Sequence, residues 1–151
     1  AGAGVGFGWG RPVMVNPVAF TRRLRMRTAH MLVAAAGPAM NLIFGAVLTV
    51  LLVVLAKHTA VGPEFQYMVA RAASLNFVLA FFNLIPTAPL DGGYVLQGLL
   101  PDRLQPAYER YSRYGIFVLM AFMFIGPLQA LFVTPAIWVF TGWFGVCQAI
   151  L

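Results

Sequence analysis

Charge is scarce in this chain. Fourteen of its 151 side chains are formally charged, ten basic and four acidic, a share of 9% where a soluble domain carries roughly 25%. So little polar surface cannot coat a globule of this size, which excludes an ordinary soluble domain. Cysteine and histidine are nearly absent too. The lone Cys147 excludes an intrachain disulfide, and His30 and His58 are the only histidines, so there is no Cys/His zinc framework. Apolar residues fill the gap: 61% of the chain is hydrophobic and the mean hydropathy is +0.84, which makes the lipid bilayer the solvent for much of the chain and excludes disorder. A net charge of +6 would ordinarily raise nucleic acid as a partner. Five of the ten basic residues, however, fall in one short stretch before the first long apolar run: Arg11, Arg22, Arg23, Arg25 and Arg27. That is the positive-inside pattern of a membrane protein, and no nucleic-acid partner is expected.

Residues 31–56 carry no charge, and as a helix they reach about 39 Å, enough for a hydrocarbon core of roughly 30 Å. They are the first expected transmembrane helix. A polar break follows with Lys57, His58, Gly62, Pro63 and Glu64, and a second helix is expected over 66–90, interrupted only by Arg71. Two spans make a hairpin, so residues 18–30 and 91–113 are expected to share the cytoplasmic face. The uncharged tail 114–151 would reach about 57 Å as one helix and must break. Pro127 and Pro135 are the candidate breaks, giving C-terminal hydrophobic helices. The first seventeen residues differ in kind. Glycine occupies every even position from Gly2 to Gly10, with Val5, Phe7 and Trp9 between, a period of two that fits a short strand, turning at Gly10-Arg11-Pro12; a flexible glycine-rich linker fits the composition equally well. The expected architecture is an all-α polytopic membrane protein, a single membrane-embedded helix bundle over 1–151 with a short N-terminal β-hairpin-like element over 1–17. No signal peptide is apparent. Since the chain opens on Ala rather than Met, it is expected to begin partway through a longer protein.

Asp91 ends the run Asn83-Leu84-Ile85-Pro86-Thr87-Ala88-Pro89-Leu90 and is followed by Gly92 and Gly93. An ionisable group at the end of a membrane segment is costly unless paired, solvated or bound to a cation. Asp followed by two glycines is also a common helix cap, here for a helix over about 94–100. The company of Pro86 and Pro89 favours chemistry, because they break the helix and free backbone groups that lipid cannot satisfy. Asn83 offers a donor and an acceptor in the same place. A second constellation, Ala34-Ala35-Ala36-Gly37-Pro38-Ala39-Met40-Asn41, lies early in the first span. Its small residues suit close helix packing, and Asn41 reads equally as packing or as a functional amide.

These residues resemble the site-2 protease family of intramembrane zinc metalloproteases, peptidase family M50. The pattern Asn-x-x-Pro-x-x-Pro-x-Asp-Gly is matched by Asn83, Pro86, Pro89, Asp91 and Gly92, and Gly-Pro-x-x-Asn by Gly37, Pro38 and Asn41. The stretch Gly8-Trp9-Gly10-Arg11-Pro12-Val13, ending in Val15-Asn16-Pro17, is similar to the lead-in of the second motif in compact bacterial members. Together they cover most of residues 7–105. The resemblance implies Asp91 as the third ligand of Zn2+, with Asn83 and Asn41 binding substrate main chain. It implies that transmembrane segments of other proteins are cut by metal-activated water, in a multi-pass protein of the bacterial cytoplasmic membrane. The glycine-rich start would resemble the family's strand pair, whose edge can receive an unwound substrate.

One departure is plain. The family's His-Glu-x-x-His helix, which supplies two zinc ligands and the general base, is absent from these 151 residues. No Glu follows His30 or His58, so no catalytic residue of that motif lies in this chain. In the family that helix comes before the glycine-rich segment, which makes an N-terminally incomplete enzyme the simplest expectation. The alternative is a catalytically inactive scaffold or pseudoprotease that binds transmembrane helices. A small transporter or channel subunit is a third reading, disfavoured by the scarcity of charges within the spans. Substrate identity and oligomeric state are not legible.

Overall fold

The computed structural model describes residues 26–58 and 61–151, so the strand-like element expected over 1–17 lies outside the described residues. All regular structure among the described residues is helical: α1 (Met26–His58), α2 (Pro63–Asn83), α3 (Asp91–Leu99), α4 (Gln105–Ser112), α5 (Gly115–Phe124) and α6 (Gly126–Ile150), with a 3-10 turn at Asp102–Leu104. Of these, α1, α2 and α6 are long and apolar enough to cross a membrane.

The 33 residues of α1 extend about 50 Å, well beyond the hydrocarbon core, so its first turns with Arg27 and His30 reach the headgroup layer. The helix is seven residues longer than the charge-free run 31–56, because the chain stays helical where its ends leave the apolar phase. Pro38 lies inside it and is buried. Thr49, fully buried, donates its hydroxyl proton to the Gly45 carbonyl at 2.8 Å, which satisfies a polar group without a partner from another helix.

α2 returns antiparallel to α1. A Cβ at Gly45 would lie 3.0 Å from the Phe77 ring and 3.3 Å from the Ala73 carbonyl oxygen, the close approach that small residues permit between membrane helices. α6 then runs against α2, with Phe77 and Phe140 rings 6.0 Å apart and Phe82 and Phe132 edge-on at 5.3 Å. Against α1 it runs parallel: the Trp143 indole donates to the Ala46 carbonyl at 3.2 Å, and near the far end the Lys57 ammonium donates to the Gln148 carbonyl at 2.7 Å. Three crossing helices therefore share one core, while large side chains such as Trp138, 75% exposed, point outward as lipid-facing residues do.

Several boundaries differ from the sequence expectation. The helix expected over 66–90 runs instead from Pro63 to Asn83, and the motif beyond it is a chain of turns. Pro86 and Pro89 cannot donate to a helical ladder and restrict the residues before them, so the helix stops ahead of both. The short helix expected over 94–100 starts at Asp91. In the tail, the break falls at Ile125, which is extended, with Pro127 in the first turn of α6; Pro135 sits inside α6 without interrupting it.

Candidate functional site

The site is the loop between α2 and α3 together with the faces that hold it. From Asn83 the backbone closes a succession of turns: Ile85 N–H donates to the Phe82 carbonyl at 3.1 Å, Thr87 N–H to Ile85 at 2.7 Å, Leu90 N–H to Thr87 at 3.0 Å and Gly93 N–H to Leu90 at 3.0 Å. Irregular backbone of this kind survives at membrane depth only when enclosed by protein. Here it is enclosed by glycines. A Cβ on Gly92 would lie 2.3 Å from the Leu84 carbonyl oxygen, one on Gly93 2.7 Å from the Thr87 carbonyl carbon, and one on Gly115, at the start of α5, 2.0 Å from the Ala88 carbonyl oxygen. Each position admits the loop only because it has no side chain. Thr87 at the centre is fully buried. From α4, the buried Tyr108 hydroxyl donates to the Gly93 carbonyl at 2.7 Å. Burial first, then the neighbouring Tyr111 and Tyr94, raise the Tyr108 phenol above its usual range, so it keeps its proton for that bond.

α3 runs back along α1. A Cβ on Gly98 would meet the Met31 side chain at 2.5 Å, and one on Gly37 would lie 2.8 Å from Asp91 Oδ2. The Asp91 carboxylate thus rests on the one position of this stretch of α1 that lacks a side chain, ten residues beyond Arg27. That is about 15 Å along the helix from the headgroup-layer arginine, which sets the carboxylate beside the charge-free part of α1 that begins at Met31. Its capping role is not seen: Leu90 is the N-cap, no side-chain cap bond forms, and Asp91 is the first residue of α3. Its charge still complements the positive end of that helix. Among the described residues no hydrogen bond or ion pair engages the carboxylate.

The helix register sets the level of the two amides. Gly45 faces Ala73 and Phe77, so the antiparallel register carries Asn83, at the end of α2, to about the level of Gly37. Asn41 lies one turn beyond Gly37 on the same stripe of α1. Both are half-buried, and among the described residues neither side chain makes a hydrogen bond. Asp91, Gly37 and Asn83 therefore share a level of the bundle, with Asn41 a turn deeper. The histidines do not join them: His30 lines the cleft at the start of α1 and His58 ends that helix. Tyr108 and Gly115 were not singled out from sequence, since nothing local distinguishes a tyrosine in a polar helix or a glycine after one.

Comparison with known proteins decides the family. The sequence profile of Peptidase family M50 matches residues 54–126. The Bacillus subtilis (strain 168) protein named "Putative zinc metalloprotease YwhC" is 33% identical over 135 residues, covering 86% of this chain and 60% of that protein. The chain belongs to peptidase family M50. A Synechocystis protein (strain ATCC 27184 / PCC 6803 / Kazusa) named "Putative zinc metalloprotease sll0528" is 37% identical over 68 residues, 45% of this chain and 17% of that protein. No solved structure matches. This M50 chain thus spans about 60% of the length of the first relative. Family membership and three long apolar helices make it an integral membrane protein.

The relatives' names imply zinc. The described residues do not make a zinc site by themselves: no group of three His, Cys, Asp or Glu side chains converges among them, and a tetrahedral site needs at least three protein ligands. Among the described residues the candidate site offers the Asp91 carboxylate, without a hydrogen bond or ion pair, and the amides of Asn83 and Asn41 at about the same end of the bundle.

Proposed function

We propose that this chain forms the substrate-facing part of a site-2-type intramembrane zinc metallopeptidase, with Asp91 as a carboxylate ligand of Zn2+ and with Asn83 and Asn41 holding substrate backbone. The observation that carries this reading is the placement of Asp91. A carboxylate beside the charge-free run of α1, seated on Gly37 and without a hydrogen-bonding partner among the described residues, is costly unless a cation balances it. The hydrogen-bonded turns of the loop and its close glycine contacts have the form of a support for a ligand rather than of a simple turn.

The substrates on this reading are transmembrane segments of other proteins, in the bacterial cytoplasmic membrane. A helical segment hides its carbonyls in i to i+4 hydrogen bonds and must open before any peptide bond can be cut. Asn83 and Asn41 each carry a carbonyl and an amine, so they can replace the bonds that the opened backbone loses. Helix-breaking Pro or Gly in the substrate would ease the opening. The reading also requires the two imidazoles and the general base of a His-Glu-x-x-His helix, a motif absent from these 151 residues.

The test is metal analysis and a cleavage assay on the chain combined with a His-Glu-x-x-His helix. Asp91→Ala is expected to lower bound zinc and abolish cleavage. Full cleavage with normal zinc would remove Asp91 from the site. Normal zinc with no cleavage of any transmembrane substrate by the unmutated protein would favour the scaffold reading.

A further inference from the structure

A second polar feature lies at the opposite end of α3 from Asp91. Where the first turn of α1 meets the end of α3, a cleft of about 330 Å³ opens between Met26, Arg27, His30, Tyr94, Gln97 and Gln105. That volume is at the small end of ligand-binding clefts. Its floor is set by Gly98, where a side chain would collide with Met31. We propose that this cleft binds the phosphate headgroup of an anionic phospholipid.

Arg27 is the anchor. Its Nε donates to the Gln97 carbonyl at 2.9 Å and its Nη1 to Asp102 Oδ1 at 2.7 Å, which fixes the plane of the guanidinium and leaves Nη2 without a partner among the described residues. Fixed, planar donors suit phosphate oxygens. The Asp102 partner is 92% exposed, and ion pairs in that setting are weak enough for a phosphate to compete with them. His30 adds a ring nitrogen at the rim. In the sequence, the segments 18–30 and 91–113 together hold seven of the ten basic residues and three of the four acidic ones. Arg25 adjoins Met26 in the chain, with Arg23 and Arg22 just before it.

A lipid is favoured over a soluble acidic peptide by what adjoins the cleft. It sits on the part of α1 that emerges from the hydrocarbon core, at headgroup depth. Directly below, Leu32 and Val33 are each 50% exposed, and Val33 follows Met26 and His30 on one stripe of the helix. Acyl chains have a surface to lie along and the headgroup has a charged cleft above it. Basic clusters at a membrane face attract anionic lipids in just this arrangement.

The experiment is lipid retention by the purified full chain, read by native mass spectrometry after equilibration with equal amounts of phosphatidylglycerol and phosphatidylcholine. Phosphatidylglycerol should be retained in excess. Arg27→Gln should cut that retention about tenfold, the loss of a charge-assisted contact, and Asp102→Asn, which removes the negative charge that competes for the guanidinium, should raise it a few-fold. Arg103→Gln, with the same change in charge outside the cleft, should stay within about twofold of the unmutated chain. Equal retention of the two lipids, or an Arg103→Gln loss matching that of Arg27→Gln, would overturn the proposal. So would displacement of the lipid by inorganic phosphate or by an acidic peptide at similar concentration. If Arg27→Gln does not fold, the Asp102→Asn arm decides: no increase there overturns the assignment.

Discussion

Gly115→Ala should destabilise the fold by overpacking backbone against backbone. The Cβ it introduces would lie 2.0 Å from the Ala88 carbonyl oxygen, 2.9 Å from the Ala88 carbonyl carbon and 3.2 Å from Thr87 Oγ1. Ordinary contact begins near 3.4 Å, so the backbone at Ala88 or the start of α5 must yield by about 1.4 Å. No side chain can rotate out of the way, since the nearest atoms are backbone, and Thr87 behind them is fully buried. Overpacking of this kind costs about 1–3 kcal/mol. The upper part of that range, about 2–3 kcal/mol, is expected because the loop is also held at Gly92 and Gly93. Gly142→Ala is the matched control: nothing lies within 4 Å of its added Cβ, and replacing glycine inside a helix should stabilise by up to ~1 kcal/mol. Denaturant unfolding in detergent micelles, followed by circular dichroism, measures both. Gly115→Ala as stable as the unmutated chain would refute the packing of α5 on the loop and with it the rigid support of Asp91.

Four further outcomes follow from the same geometry. Tyr108→Phe removes the donor to the Gly93 carbonyl and should destabilise by about 0.5–1.5 kcal/mol in the same unfolding assay, the net worth of one buried hydrogen bond. Asp91→Asn in the chain alone should not destabilise the fold, because the side chain makes no cap bond and the change removes a carboxylate that no cation balances there; a loss near 1 kcal/mol or more would restore the capping role. In the chain combined with a His-Glu-x-x-His helix, Asn83→Ala should lower turnover while zinc content stays near normal, and a zinc loss equal to that of Asp91→Ala would show that the amide serves the metal. Cysteines placed at positions 25 and 103 should be labelled from the same side of the membrane, as the Arg27–Asp102 pair at 2.7 Å requires; labelling from opposite sides would refute the shared face.

The sequence made legible what the bilayer enforces. A charge-free run such as 31–56 has few alternatives to a crossing helix, and prolines three residues apart before an aspartate announce an irregular segment. What depends on distant contacts was hidden. Asp91 and Gly37 are 54 positions apart in the chain, and only the packing of α3 along α1 shows that the glycine makes room for the carboxylate. The same is true of Tyr108 and Gly115, whose roles exist only because α4 and α5 fold back onto the loop. The local pattern Asp-Gly-Gly pointed to a cap, yet Leu90 takes that position because the turns from Asn83 onward already fix the entry to α3.

Pro127 and Pro135 show why local chemistry alone could not place the break in the tail. Both lack an amide donor, and both were equal candidates. The bilayer distinguishes them. A break at Pro135 would leave residues 136–150 as a helix of about 22 Å, too short for a hydrocarbon core of roughly 30 Å. Breaking at Ile125 gives α6 its 25 residues, about 37 Å, and puts Pro127 in a first turn where its missing donor costs nothing. Within α6, Pro135 forfeits a single hydrogen bond, a smaller loss than a helix that cannot cross. The ten-residue α5 left behind cannot span either, and its buried Gly115 places it against Thr87 and Ala88. The length rule that fixes the third crossing helix thereby also delivers the wall of the Asp91 loop.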